Sequence, residues 1–312
     1  MGNAPGKSHR KGISMMELQD MFPNEQAAME WFENSVWPKG RCCPKCGSTK
    51  TKVAPASYKM PYVCQGCQKS FSVRTGTAME RSKVSLRQWV FAIYIETTNL
   101  KAVSSMKLHR DIGVTQKTAW FMLHRIREAF AAETRPLFDG PVEVDETYMG
   151  GKRRNMKKSK RERLTGRGAV GKTAVVGAKD RESGQVVAQV VESTDGETLQ
   201  GFVEGVTDPD AKVYTDDAKA YVGVDREHES VNHSAGEYVR KMAHTNGIES
   251  FWAMLKRAHK GTFHHISAKH LNRYVNQFAG KHNLREEGTM SQMESIAARM
   301  VGKRIMYKKL VS

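Results

Sequence analysis

No stretch of this chain approaches the roughly 18 consecutive apolar residues that a membrane-spanning helix needs, which excludes a helical membrane span. The first residues, Met1 to Lys11, lack an apolar segment, so they do not read as a secretory signal. Met1-Gly2 also lacks the following Ser or Thr of a myristoylation site. These absences predict a cytoplasmic protein whose residues 1–13 form a mobile basic arm. Acid is scarce as well: 33 Asp and Glu stand against 50 Lys and Arg, a formal charge of +17. Such an excess favours a polyanionic partner, because each phosphate contact releases condensed counterions. Low-complexity tracts are missing, and 312 residues give room for two or three domains.

Cysteine is rare, with only five in the chain. Four of them pair as Cys43-x₂-Cys46 and Cys64-x₂-Cys67 with seventeen residues between the pairs. That spacing predicts a tetrahedral four-thiolate zinc site. Cys42-x₃-Cys46 does not match the second pair, so Cys43 is the expected ligand. Two disulfides are the competing reading; a cytoplasmic chain with an odd fifth thiol argues against them. Gly47 and Gly66 ease the two turns, and strand-forming residues from Thr51 to Phe71 complete a zinc ribbon. Structural zinc would contribute folding energy directly to so small a module. Before it, Ser14–Met21 and Asn24–Val36 read as helices, and residues 14–80 are expected to form one N-terminal region.

Residues 81–135 read as helical. Leu86, Trp89, Val90, Ile93 and Tyr94 recur at helical spacing. A second helix is expected over Asn99–His109, then a turn at Gly113, then a third helix capped by Thr115 and running to Phe130. Helix, short Gly-containing turn, helix fits a helix-turn-helix. Gln116, Lys117 and Thr118 would then meet base edges, and Arg125 and Arg127 phosphates. A plain three-helix packing unit fits the same spacing.

After Pro136 the composition shifts. Val142 and Val144 alternate with Glu143 and Asp145, a period-two pattern that predicts a half-buried strand. The strand-like run Ala211 to Asp216 delivers a second Asp, beside Asp217. Ile248, Phe251, Trp252 and Leu255 define an amphipathic helix bearing Glu249; Lys256, two turns on, lies on nearly the same face. Two strand-borne aspartates and a helix-borne glutamate make an oxygen-rich set suited to two Mg²⁺ or Mn²⁺ ions. Ion pairs of this kind clamp the attacking and leaving oxygens of an in-line phosphoryl displacement. Next to Asp145, Lys152, Arg153, Arg154, Lys157 and Lys158 sit in a basic loop, 150–171, placed to grip phosphate; Arg257 adds a cation beside Lys256.

The element order from residue 136 to 287 is β-β-β-α-β-α-β-α, with a hairpin at Asp180–Gly184 and helices after Asp195 and Ser267. It is that of a ribonuclease-H-like mixed sheet flanked by helices, with Asp145 on the first strand and Asp216 on the adjacent fourth. The fold class is therefore multidomain: a zinc ribbon, helix-turn-helix-like helices, then a mixed α/β domain. Residues 288–312 read as a basic C-terminal tail.

The segments Arg41 to Gly47, Val144 to Lys152, Tyr214 to Asp216 and His244 to Arg257 together resemble the bacterial insertion-sequence transposases that join a zinc ribbon to a DDE catalytic domain. The likeness covers roughly residues 15–285. It implies that Asp145, Asp216 and Glu249 are the catalytic triad and that Lys256 is an accessory basic residue. It also implies binding of an element's terminal inverted repeats, metal-dependent strand cleavage and joining to target DNA, and a homo-oligomer of at least two chains to bring two ends together. A non-enzymatic zinc-ribbon DNA-binding regulator, or a nuclease that nicks without joining, are the rival readings.

Overall fold

The computed structural model describes residues 11–131, 137–151, 153–165, 169–216, 218–231 and 244–312. The chain forms two compact units, one from residues 1–130 with 284–312, the other from residues 131–283. No helix among the described residues is long and apolar enough to cross a membrane.

In the first unit, α1 (Met15–Met21) and α2 (Glu25–Val36) start at Ser14 and Asn24, whose side chains accept from the third residue beyond each. Strands β1 (Thr51–Val53), β2 (Tyr62–Cys64) and β3 (Ser70–Phe71) form an antiparallel three-stranded ribbon. Three helices follow: α3 (Leu86–Thr98), α4 (Ser105–Ile112) and α5 (Gln116–Glu128). The second helix begins later than the sequence predicts. Ala102 has φ +59, and the Ser104 hydroxyl caps the helix from Lys107 N–H. Gly113 ends α4 in the left-handed conformation, φ +69, which a glycine adopts without strain. Thr115 then caps α5. Helix, left-handed glycine turn and helix therefore follow one another in that order.

Two expected boundaries change. The ribbon and the helices share a single apolar core, running from Leu18 and Phe32 through Tyr62 and Phe71 to Trp89, Ile93 and Ile126. Residues 288–312 are not a tail: α10 (Thr289–Arg299) and α11 (Tyr307–Val311) are formed. Met293, Ile296, Ala297 and Met300 enter that core, and Met300 O accepts from Ala78 N–H at 2.8 Å. Their helical spacing was masked in the sequence by the surrounding Lys and Arg. Of the expected arm, residues 1–10 lie outside the described residues. Lys11 and Ile13 are held by carbonyl bonds to Thr289 N–H at 2.9 Å and the Tyr94 hydroxyl at 2.8 Å.

The second unit is a five-stranded mixed sheet. Its strands are β4 (Val142–Met149), β5 (Thr173–Asp180), β6 (Val186–Val191), β7 (Lys212–Asp216) and β8 (Glu227–Val231), in the order β6-β5-β4-β7-β8. The β4, β5 and β6 pairs are antiparallel; β7 and β8 run parallel to β4. A short helix, α6 (Lys158–Glu162), lies in the basic loop, and α7 (Gly196–Val206) follows β6. Val142, Val144, Val176 and Val213 pack on Leu199, Phe202 and Val203 of α7. The opposite face is covered by α8 (Asn246–Ala258) and α9 (Ala268–Asn283). Gly177, opposite Asp145 on β5, leaves the space that Trp252 fills; a Cβ there would come within 2.7 Å of the indole.

β4 is thus covered on both faces, not one. Val142 and Val144 are fully buried on the α7 side, while Glu143, 2% exposed, is buried on the α8 side. The alternation in this strand is one of chemistry rather than of exposure.

Candidate active site and metal centre

Cys43, Cys46, Cys64 and Cys67 bring their sulfurs within 4.8 Å of one another. Cys43 Sγ lies 3.7 Å from Cys67 Sγ, and Cys46 Sγ 3.6 Å from Cys64 Sγ. Four sulfurs each about 2.3 Å from one zinc ion stand about 3.8 Å apart, so the set fits tetrahedral zinc. Cys42 is not part of it, and none of the five is disulfide-bonded. Backbone N–H groups aim at the cluster. Chiefly through Cys67 N–H, Cys64 is drawn down to about 6. Although Ser48 N–H favours the Cys46 thiolate, its sulfur neighbours Cys64 and Cys67 push it up to about 12. Crowded thiols that resist common ionisation are what a bound dication relieves.

In the second unit β4 and β7 run in register, Val142 with Val213 and Glu143 with Tyr214. The paired register ends there; two residues further along each strand, at the same offset, come Asp145 and Asp216, the last residue of β7. Glu143, Asp145, Tyr214 and Asp216 share the α8 face by strand parity. Glu249 reaches this face from the first turn of α8, where the Thr245 hydroxyl donates to its Oε1 at 3.0 Å. The Asp145 carboxyl is pushed up to about 7, first by burial, then by the charges of Glu146, Asp216 and Glu249. Asp145 thus lies within electrostatic reach of both Asp216 and Glu249. They stand more openly than the thiolates: among the described residues, only the cysteine set closes to within 4.8 Å.

A fourth acid belongs to this neighbourhood. Glu146 accepts from the fully buried Tyr221 hydroxyl at 2.8 Å. Burial pushes its carboxyl up, Tyr221 opposes that, and Asp216 adds to it. The sequence reading passed over both residues; the doublet Asp145-Glu146 was the available signal.

Lys256 is exposed on α8, two turns beyond Glu249, with Arg257 exposed beside it. Arg153, Arg154, Lys157 and Lys158 are exposed, and Lys158 pairs with Glu162 at 3.9 Å. Arg153 donates to the Leu164 carbonyl, which folds the loop back on itself. Lys152 and Asp217 lie outside the described residues. In the first unit Lys117 is exposed at the start of α5, its ammonium 4.6 Å from the centre of the Tyr307 ring. It borders an open cavity of about 550 Å³ that Arg81, Lys83, Phe121 and Tyr307 also line.

Arg125 is a correction. It is only 8% exposed, stacks on Phe121 with 4.2 Å to the ring centre, and donates to the Glu80 carbonyl at 3.1 Å. Arg127 is buried too, at 1%. The last turns of α5 are packed on more than one side, so both arginines are buried where exposed cations were expected, with Arg125 at the wall of the cavity that Lys117 borders.

A mixed sheet ordered β6-β5-β4-β7-β8, flanked by helices and carrying Asp145 and Asp216 on neighbouring strands, is that of a ribonuclease-H-like domain. Here it is joined to a four-thiolate ribbon. Residues 138–283 match the ISXO2-like transposase domain family, and residues 23–70 match the transposase zinc-ribbon domain family. The chain is 30% identical over 274 residues to the uncharacterized protein in transposable element ISH50 of Halobacterium salinarum, covering 82% of this chain and 90% of that one. The chain belongs to the IS1595-type, ISXO2-like transposases.

Proposed function

We propose that this transposase binds the terminal inverted repeats of its insertion sequence and catalyses strand cleavage followed by strand transfer, with Asp145, Asp216 and Glu249 holding two Mg²⁺ or Mn²⁺ ions. The observation that carries the reading is the half-buried Asp145 carboxyl, pushed up to about 7 by burial and by the charges of Glu146, Asp216 and Glu249. Carboxylates gathered at such electrostatic cost are expected where a cation offsets their repulsion. Bound divalent ions would supply an activated water or 3′-hydroxyl and stabilise the leaving oxygen.

The chain's own residues supply position. Strands β4 and β7 fix the two aspartates on rigid backbone, and α8 sets Glu249 against them. Lys256 is in place to contact a phosphate near the scissile bond. Arg153, Arg154, Lys157 and Lys158 with Arg257 offer further phosphate contacts around it. Lys117 at the start of α5 is the base-edge or backbone contact of the helix-turn-helix. Two element ends must meet for joining, so the working form is at least a dimer on DNA, acting in the cytoplasm.

A DNA-binding regulator without catalysis has no use for acids forced together in this way. A nuclease of the same fold would nick but not join. Both are separated from the proposal by one assay: Asp145→Ala and Glu249→Ala proteins tested for Mg²⁺-dependent cleavage and strand transfer on an oligonucleotide carrying the element's end. Wild type is expected to cleave and join, and each variant to lose both by at least a thousandfold. Joining by either variant would refute the assignment.

A further inference from the structure

Glu143 lies two residues before Asp145 on β4 and faces the same side of the sheet. Its carboxylate is the centre of a buried hub. Oε1 accepts from Arg181 Nε at 2.9 Å and lies 3.2 Å from His244 Nδ1. Oε2 accepts the backbone N–H of Ile248 at 2.9 Å. Ile248 sits in the first turn of α8, one residue before Glu249, and the helix's own N-cap, Thr245, makes no side-chain capping bond. First-turn N–H groups have no partner within their helix; here one is satisfied from the sheet. Arg181 extends the hub: it donates to the His244 carbonyl at 2.6 Å, and its guanidinium lies 4.2 Å from the centre of the Tyr214 ring, two residues before Asp216.

One buried carboxylate thus touches, directly or through Arg181, all three elements that carry the proposed ligands. A buried ion pair contributes little net stability compared with apolar packing, so its presence here points beyond stability. Gly247 shows how closely the fit is drawn. A Cβ at that position would come within 2.7 Å of Glu143 Oε2 and 3.0 Å of Lys179 Nζ.

We propose that Glu143 is a positioning residue: from the strand that bears Asp145 it clamps the first turn of α8 and so sets the span between Glu249 and the two aspartates. The inference rests on the reading of those acids as metal ligands. The clamp needs an acceptor on both edges, toward Arg181 and toward Ile248 N–H. A glutamine offers one acceptor edge and turns its amide hydrogens against one of the two donors, which loosens the helix terminus while keeping side-chain volume.

The test is made on the full chain, by the Mg²⁺ concentration giving half-maximal cleavage of an element-end oligonucleotide, beside the rate at saturating Mg²⁺. Glu143→Gln is expected to raise the half-saturating concentration about tenfold, as loss of groups that orient metal ligands does. The saturated rate should stay within a fewfold of wild type, and a melting curve should show a folded protein. Gly247→Ala, which displaces the clamp without removing its charge, should shift it in the same direction. It carries the test together with Arg181→Lys if Glu143→Gln fails to fold. An unchanged Mg²⁺ requirement in the folded variants would overturn the proposal. So would a rate loss at every Mg²⁺ concentration with unchanged half-saturation. Asp145→Ala separates the two ideas: cleavage by that variant sinks the metal reading itself, whereas a silent Asp145→Ala beside a wild-type-like Glu143→Gln sinks only the positioning role.

Discussion

Replacing Asp145 by asparagine should abolish catalysis and yet make the magnesium-free protein more stable. Asp145 titrates near 7 in the folded chain instead of the ordinary 3.8, because burial and then the charges of Glu146, Asp216 and Glu249 oppose its ionised form. A carboxyl raised in this way holds its proton more tightly when folded than when unfolded. Folding is therefore least burdened below 3.8, loses stability as pH climbs between the two values, and carries the whole penalty above about 7. At about 1.4 kcal/mol for each pH unit, the gap sets a ceiling on the order of 4 kcal/mol. Asn keeps the shape and removes the charge. In a domain of this size about 2 to 4 °C accompanies each kcal/mol, so the second unit of Asp145→Asn should melt several degrees above wild type at pH 8. At pH 4 the two should nearly coincide. The assay is thermal unfolding from pH 4 to 9 in buffer free of magnesium and manganese with zinc retained, then repeated with Mg²⁺. Added Mg²⁺ should stabilise wild type increasingly as pH rises and leave the variant almost unmoved. Equal melting temperatures at pH 8, or a difference that does not change with pH, would refute the reasoning.

Other outcomes follow from the same geometry. Cys46→Ser, or zinc removal by a chelator, should unfold the first unit, leaving the far-ultraviolet signal and melting transition of the second in place; Cys42→Ser should do neither. Lys117→Ala should weaken binding to all DNA sequences and lower the slope of log affinity against log salt by about 1. Arg125→Met should leave that slope unaltered and instead lower the melting temperature of the first unit, since its removal orphans the Glu80 carbonyl and costs roughly 1 to 3 kcal/mol. Tyr221→Phe removes the hydroxyl that donates to the half-buried Glu146 carboxylate and should destabilise the second unit by a similar 1 to 3 kcal/mol near neutral pH, read by denaturant unfolding.

Much of this was legible in the chain, and the parts that were not share a cause. The thiolate spacing is local, so Cys43, Cys46, Cys64 and Cys67 could be assigned before any coordinates, including the choice of Cys43 over Cys42. Strand and helix periodicity placed Asp145, Asp216 and Glu249 on the elements where they stand. Register was beyond reach, because nothing local says that Glu143 pairs with Tyr214 and so carries Asp145 and Asp216 to one face. The hub at Glu143 was hidden for a related reason: among alternating valines an acid reads as a solvated position, and its partners Arg181 and His244 lie far along the chain. Arg125 misled in the opposite direction. A cation late in a helix looks exposed until its guanidinium is found over Phe121, one turn earlier, and bonded to the Glu80 carbonyl. The segment from Thr289 to Val311 was disguised by its basic residues, although Met293, Ile296 and Met300 already carry a helical stripe.

The most direct measurement is a crystal structure of the protein grown with Mn²⁺, using anomalous scattering to locate the ions. The account predicts manganese held by Asp145, Asp216 and Glu249, with Asp145 shared between two sites. Manganese bound elsewhere, or a well-ordered site in which these three carboxylates hold no ion at saturating Mn²⁺, would contradict it.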